Sequence, residues 1–173
     1  MDREELFGEL PPRATRAGLI DRFPPEASRA ILAALSPADP EMLELELRPG
    51  AVVASRAGGV PALVLDDADP RAAGARALAA ALGRYFTAAD GFGPVARINF
   101  LDGVRVLFAG GDIAHLRPSG NAPQMRCFAV SDTQQRADEI VALAIREPDG
   151  LLRRMEREVR ARAGAGVRTE VGP

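Results

Sequence analysis

At 173 residues the chain has the length of one domain, or of one domain with an appended subdomain, and can bury a sizeable core. Its 47% hydrophobic and 27% charged residues exclude disorder of the whole chain. A net charge of −2 argues against a global field that would gather nucleic acid or an anionic membrane.

In chain order, Met1 to Leu6 is charged and has no apolar centre, which argues against a secretory signal. No apolar run in the sequence approaches the ~20 residues that span a bilayer, so the expected compartment is the cytoplasm. The stretch to about Pro25 mixes Pro and Arg with scattered apolar residues and reads as an extended lead-in. Ala27, Ala30, Ile31, Ala34 and Leu35 then recur at helical spacing, between Pro24-Pro25 and Ser36-Pro37. Signals weaken after this. Val52-Val53 and Ala62 to Leu65 suggest short strands separated by Gly58-Gly59. Asp69-Pro70 opens an Ala-rich helix to about Phe86, with Ala75, Leu78, Ala79, Leu82 and Phe86 on one face.

Beyond Gly93 the pattern sharpens. Val95, Ile98 and Phe100 mark a strand, Asp102-Gly103 a two-residue turn, and Val104, Val106 and Phe108 a second strand. Ala109 to Asp112 form the next turn, Ile113 and Leu116 belong to a third strand, and Met125 to Val130 form a fourth. Asp132 or Thr133 caps a helix carrying Ala137, Ile140, Val141, Ala144 and Ile145, which ends before Pro148. A last Arg/Glu-laced helix runs from about Asp149 to Ala163 with the charge pairing of a solvated helix, and the tail from Gly164 is expected to be loose. A strand meander followed by a helix indicates an α+β fold: a four-stranded, mainly antiparallel sheet with helices packed on one face, plus an N-terminal helical lead-in. The expected divisions are 1–37 (lead-in and helix), 38–93 (insertion or subdomain), 94–148 (the sheet domain) and 149–173 (terminal helix and tail).

The connection Arg117-Pro118-Ser119-Gly120-Asn121-Ala122-Pro123 reads as an anion cradle. Ser119 and Asn121 offer side-chain donors, Gly120 lets the backbone approach a ligand, and the prolines restrict the loop. Arg117 supplies a planar cation that can grip two phosphate oxygens, and a run of amides in such a turn carries partial positive charge. Arg126 adds a second cation if its strand turns it the same way. The competing reading is a solvated connection with an ion-paired Arg. All 22 basic residues are Arg, so the presence of one carries little information by itself.

The run Asp102-Gly103-Val104-Arg105-Val106, then Gly110-Gly111-Asp112-Ile113, then the Arg117–Pro123 loop and Met125-Arg126-Cys127-Phe128, resembles the carboxy-terminal domain of phosphohexomutases, in its phosphomannomutase branch. There a "DG-(hydrophobic)" hairpin precedes an "RPSGTEP"-like loop and an Arg-bearing strand. Leu10-Pro11-Pro12-Arg13 and Phe23-Pro24-Pro25-Glu26 look like the segment leading into that domain. The resemblance is fullest from Pro94 to Ile145 and thinner before Leu35. It implies that Arg117, Ser119, Gly120 and Asn121 bind the phosphate of a hexose phosphate, and Arg126 is placed with them as the second cation. Asn121 stands where Thr is common, exchanging a hydroxyl for an amide donor, and Ala122 stands where Glu is common, so any role of that carboxylate is lost.

The resemblance also implies what this chain lacks: a phosphorylated serine in a Ser-His-Asn-Pro-like setting, an Asp-Gly-Asp-x-Asp-Arg-like magnesium loop and a Gly-Glu-x-Ser-Gly-like sugar loop. Phosphoryl transfer is chiefly positioning and charge neutralisation, so no catalytic residue is assigned, and magnesium is expected only in a catalytic partner. Asp66-Asp67-Ala68-Asp69 suits a hard cation in type, but a strand end leading into Asp69 as a helix cap explains the same residues. His115 is read as a surface residue near the loop and Cys127, the single cysteine, as a small buried hydrophobe that allows no internal disulfide. Arg153-Arg154 and Arg157 to Arg160 are interleaved with Glu156 and Glu158, a solvated face more than a nucleic-acid site. Three functions remain open: a free-standing phosphosugar-binding domain, the non-catalytic part of a split phosphomannomutase with a separate catalytic chain, and a structural or regulatory remnant that binds nothing.

Overall fold

Alternation of apolar and polar residues builds the middle of the molecule. In the computed structural model, which describes residues 12–168, eight strands form one antiparallel sheet and four α-helices accompany it. The chain runs β1 (Ala14–Asp21), α1 (Pro25–Ala34), β2 (Met42–Arg48), β3 (Ala51–Arg56), β4 (Leu63–Asp66) and α2 (Pro70–Gly83). It continues through β5 (Val95–Asn99), β6 (Val104–Phe108), β7 (Ile113–Pro118), β8 (Gln124–Ser131), α3 (Gln134–Ile145) and α4 (Leu151–Arg168). The strands lie in the order β1-β8-β7-β6-β5-β2-β3-β4.

The α+β class and antiparallel pairing stand, but four strands become eight. The expected four are β5 to β8, consecutive neighbours in the sheet. The stretch read as a lead-in forms β1, which pairs with β8 from Ala14↔Ser131 to Asp21↔Gln124. Ala17 and Gly18 are poor strand formers, so tertiary pairing makes this strand where local propensity does not. At the other end β2, β3 and β4 extend the sheet from β5, through Leu45↔Ile98, Leu45↔Ala54 and Val52↔Leu65. The β5–β6 connection is the four residues Phe100–Gly103, not a two-residue turn. Phe100 donates its amide to Leu43 O of β2 (2.8 Å), which holds the strand in line one residue further. Gly103 has φ of 87°, and a Cβ there would lie 2.3 Å from Leu116 O, so a side chain is excluded.

Because the register places opposite residues on one face, a single buried face runs across the sheet. It comprises Met125, Cys127 and Ala129 of β8, Ala114 and Leu116 of β7, Val104 and Val106 of β6, Ile98, Leu45, Val52 and Leu65. The helices cover this face. Gly18 of β1 lies under α3, where an added Cβ would meet Val141 Cγ1 at 2.5 Å. α1 starts with Pro25 in its first turn, and α2 is capped by Asp69, whose carboxylate accepts from Arg71 N at 2.8 Å. Thr133 caps α3, accepting from Arg136 N at 3.2 Å, while Asp132 pairs with Arg13. α4 carries the expected i,i+4 pairs Arg160–Glu156 and Arg162–Glu158, yet it is amphipathic: Leu151, Leu152 and Met155 are core residues. It also runs to Arg168, past the point where a loose tail was expected. Residues 169–173, like Leu10 and Pro11 of the lead-in motif, lie outside the described residues.

The buried side chains form two clusters. The larger lies under β5 to β8 and holds the Phe86, Phe92 and Phe108 rings, with centroids 4.8–5.3 Å apart. The smaller contains Leu45, Val52, Ala54, Leu65, Ala72 and Ala75 under β2 to β4 and α2. Leu78 and Phe100 pack against both. Just beyond the end of α2, the Tyr85 hydroxyl donates to Glu158 of α4, and burial together with that carboxylate pushes the phenol up to about 12. Among the described residues no helix is long and apolar enough to cross a membrane.

Candidate functional site

The Arg117–Pro123 segment leaves β7 and returns as β8 after a narrow loop. Ser119 N donates to Gln124 O (2.9 Å) and Gln124 N to Ala122 O (2.7 Å), which pins the two ends. Among the described residues the amides of Gly120, Asn121 and Ala122 donate to no protein acceptor. Three successive amides without a protein acceptor leave uncompensated partial positive charge at the tip of the loop.

The pairing Arg117↔Arg126 puts both arginines on the open face of the sheet, the face the helices leave uncovered. They meet different neighbours. Arg117 Nη1 lies 3.1 Å from Asp102 Oδ2, with side-chain exposures of 48% and 55%. An ion pair that exposed contributes at most about 1 kcal/mol and gives way readily to a competing anion. Arg126 faces no carboxylate within ion-pair distance among the described residues. Its Nη2 lies 3.5 Å from Ser119 Oγ and 3.4 Å from Gln124 Oε1, both long for hydrogen bonds, and its Nε is buried without a partner.

The other side of the loop is a cleft of about 470 Å³, lined by Ser119, Gly120, Asn121 and Pro123 and, across from them, by Phe23, Ser28 and Arg29. The start of α1 is tied to the loop by Phe23 N donating to Pro123 O at 2.7 Å. The five residues singled out from the sequence therefore fall on two sides. Ser119, Gly120 and Asn121 line the cleft, while Arg117 and Arg126 lie on the open face, with Ser119 between the groups. Ser28 and Arg29, which line the same cleft, were not among the residues singled out. The available signal was Pro24-Pro25, which fixes where a helix begins, but nothing local says what that helix end faces.

His115 lies on the open face, opposite Phe128 and Arg105 in register, with its ring 5.9 Å from that of Phe128 and Nε2 against Asp102 O. Cys127 is fully buried on the opposite face, and burial pushes its thiol up to about 12. Asp66 accepts from the Ala68 and Asp69 amides at 2.9 and 3.1 Å, Asp67 pairs with Arg76 at 2.5 Å, and Asp69 caps α2. These three carboxylates are thus engaged in the turn and cap geometry. Among the described residues no group of three or more His, Cys, Asp or Glu converges as a metal site.

No protein-family model matches the chain. Two curated proteins do, over short stretches. A phosphomannomutase of Sinorhizobium fredii (strain NBRC 101917 / NGR234) is 46% identical over 50 residues, covering 29% of this chain and 10% of the relative. A phosphomannomutase of Salmonella muenchen is 52% identical over 40 residues, covering 23% of this chain and 8% of the relative. Part of this chain is similar to phosphomannomutases. The matched stretch spans about a tenth of the length of these relatives, and the identity within it supports kinship with that family.

Proposed function

We propose that the chain is a phosphosugar-binding domain of phosphomannomutase type, related to the carboxy-terminal domain of that family, which grips the phosphate of a hexose phosphate and performs no phosphoryl transfer alone. The observation that carries this is the run of free amides at Gly120, Asn121 and Ala122 in a loop closed at both ends. Ser119 and Asn121 add side-chain donors, and Arg126, with its unpartnered Nε, sits behind Ser119. Arg117, paired with Asp102 on the open face, adds positive field from behind the loop. Residues 94–148 are in this reading the family-like unit, and 38–93 are an insertion that lengthens its sheet.

The catalytic serine, magnesium and sugar loops belong to a separate polypeptide in the alternative reading, a split phosphomannomutase interconverting mannose 6-phosphate and mannose 1-phosphate. This second reading shares the loop with the first and differs in requiring a partner chain.

The test is an NMR titration of the chain with mannose 6-phosphate and mannose 1-phosphate, with unphosphorylated mannose as control. Saturable shifts at the Gly120 and Asn121 amides with the phosphates alone are expected, weakened about tenfold in Arg126→Ala. Absence of saturable shifts at millimolar ligand leaves the remnant reading in place.

A further inference from the structure

We infer that Arg29 of α1 is the residue that meets the phosphate directly across the cleft, so that the site is built from two distant segments, the loop and the first turns of α1. The inference rests on the phosphate-binding reading of the loop and assigns to it a residue outside the loop.

Four observations lead there. Arg29 is the one charged residue lining the cleft onto which Ser119, Gly120 and Asn121 open. Among the described residues its guanidinium makes no ion pair and no hydrogen bond, whereas Arg117 is already engaged at Asp102. The Phe23 N–Pro123 O bond ties the start of α1 to the loop and the burial of Phe23 and Ile31 seats α1 in the core, so Arg29 is presented by a rigid element. Finally, the helix end itself is a poor anion site: Pro25 has no amide hydrogen, Ser28 N is taken by Pro24 O, and Glu26 adds a negative charge to the first turn. The positive charge on that wall therefore comes from the Arg29 side chain and not from the helix dipole.

A dianionic phosphomonoester in the cleft then accepts from the Gly120 to Ala122 amides on one wall and from the Arg29 guanidinium on the other. Arg117 and Arg126 act from behind the loop through their field. At about 470 Å³ the cleft is in the range of small-molecule sites, so a phosphorylated small molecule is favoured over free phosphate.

The experiment is calorimetric or NMR titration of mannose 6-phosphate, and separately of inorganic phosphate, into the wild type, Arg29→Ala, Arg29→Lys and Arg105→Ala. Arg105 lies on the open face and serves as a control of equal charge change. Arg29→Ala is expected to weaken the sugar phosphate by about tenfold or more, with partial recovery in Arg29→Lys, no change in Arg105→Ala and an unchanged melting temperature. Wild-type binding with an unaffected Arg29→Ala overturns the inference and leaves the loop reading standing. Equal losses in Arg29→Ala and Arg105→Ala also overturn it, since they mark a diffuse charge effect. If the wild type binds neither ligand, the loop reading fails and the inference with it.

Discussion

The two halves of the sheet are built to different standards. Under β5 to β8 three phenylalanine rings, Leu116, Ile98, Met125 and the apolar faces of α1, α3 and α4 fill the interior. Under β2 to β4 the buried set is smaller and half of it is alanine, and an open apolar cleft of about 580 Å³ lies between Leu45, Leu65, Leu78 and Ala34. Val64, on the edge strand, is 72% exposed. The half that carries the candidate site is thus the half that can hold a loop still, while the other leans on it through Leu78 and Phe100. Rigidity is supplied where a ligand would need it.

Truncating one core residue in each half gives the sharpest contrast. Phe108→Ala is expected to cost about 3–5 kcal/mol, and Leu65→Ala about 2 kcal/mol, because a site already beside open space has fewer contacts to lose. Denaturant unfolding measures both. Hydrogen exchange should show the Leu65→Ala loss confined to β3, β4 and α2. Equal losses spread over every strand would mean one cooperative unit and end the comparison.

A gain is available in the weaker half. Gly74 lies inside α2 with nothing within 4 Å of an added Cβ. Gly74→Ala should stabilise by about 0.5–1 kcal/mol, read as a shift in the denaturation midpoint, and a loss there would show that α2 needs its glycine.

The smallest effect is in acid. The Arg71 guanidinium, helped by the Arg71 amide, holds the Asp69 carboxyl down from 3.8 to about 2. A depressed carboxyl contributes its stabilisation fully above its ordinary value and loses it as pH falls through the folded one. Protection of the first-turn amides of α2, taken as the exchange rate relative to the intrinsic rate at each pH, should therefore fall between about pH 4 and about pH 2, faintly because the pair is exposed. Asp69→Asn keeps a capping acceptor and should remove the dependence. The same dependence in that variant would assign it elsewhere.

This division was only partly legible in the sequence. Val104, Val106 and Phe108 alternate with Arg105 and Leu107, so β6 and its neighbours declare themselves. The Leu43, Leu45 and Leu47 alternation with Glu44 and Glu46 is just as regular, and it was there to be read as β2. Its partner β5 was not, since the pairing spans the whole of β3, β4 and α2. β1 has no such pattern: Gly18 occupies an inward position because α3 leaves no room for a side chain, and that requirement appears only after folding. The loop was legible as a connection between two strands, yet not its orientation. Arg117 and Arg126 share a face by register, and the cleft wall opposite the loop comes from the far end of the chain.

The Tyr85–Glu158 contact has a spectroscopic consequence. The chain contains no tryptophan and one tyrosine, so its emission on excitation beyond the phenylalanine band comes from a single ring. That ring sits where the end of α2 meets α4, and its hydroxyl donates to a carboxylate, a known route to quenching by proton transfer in the excited state. Detachment of α2 from α4 therefore brightens the emission of the unmodified protein, and a fluorimeter alone can follow the weaker half coming loose.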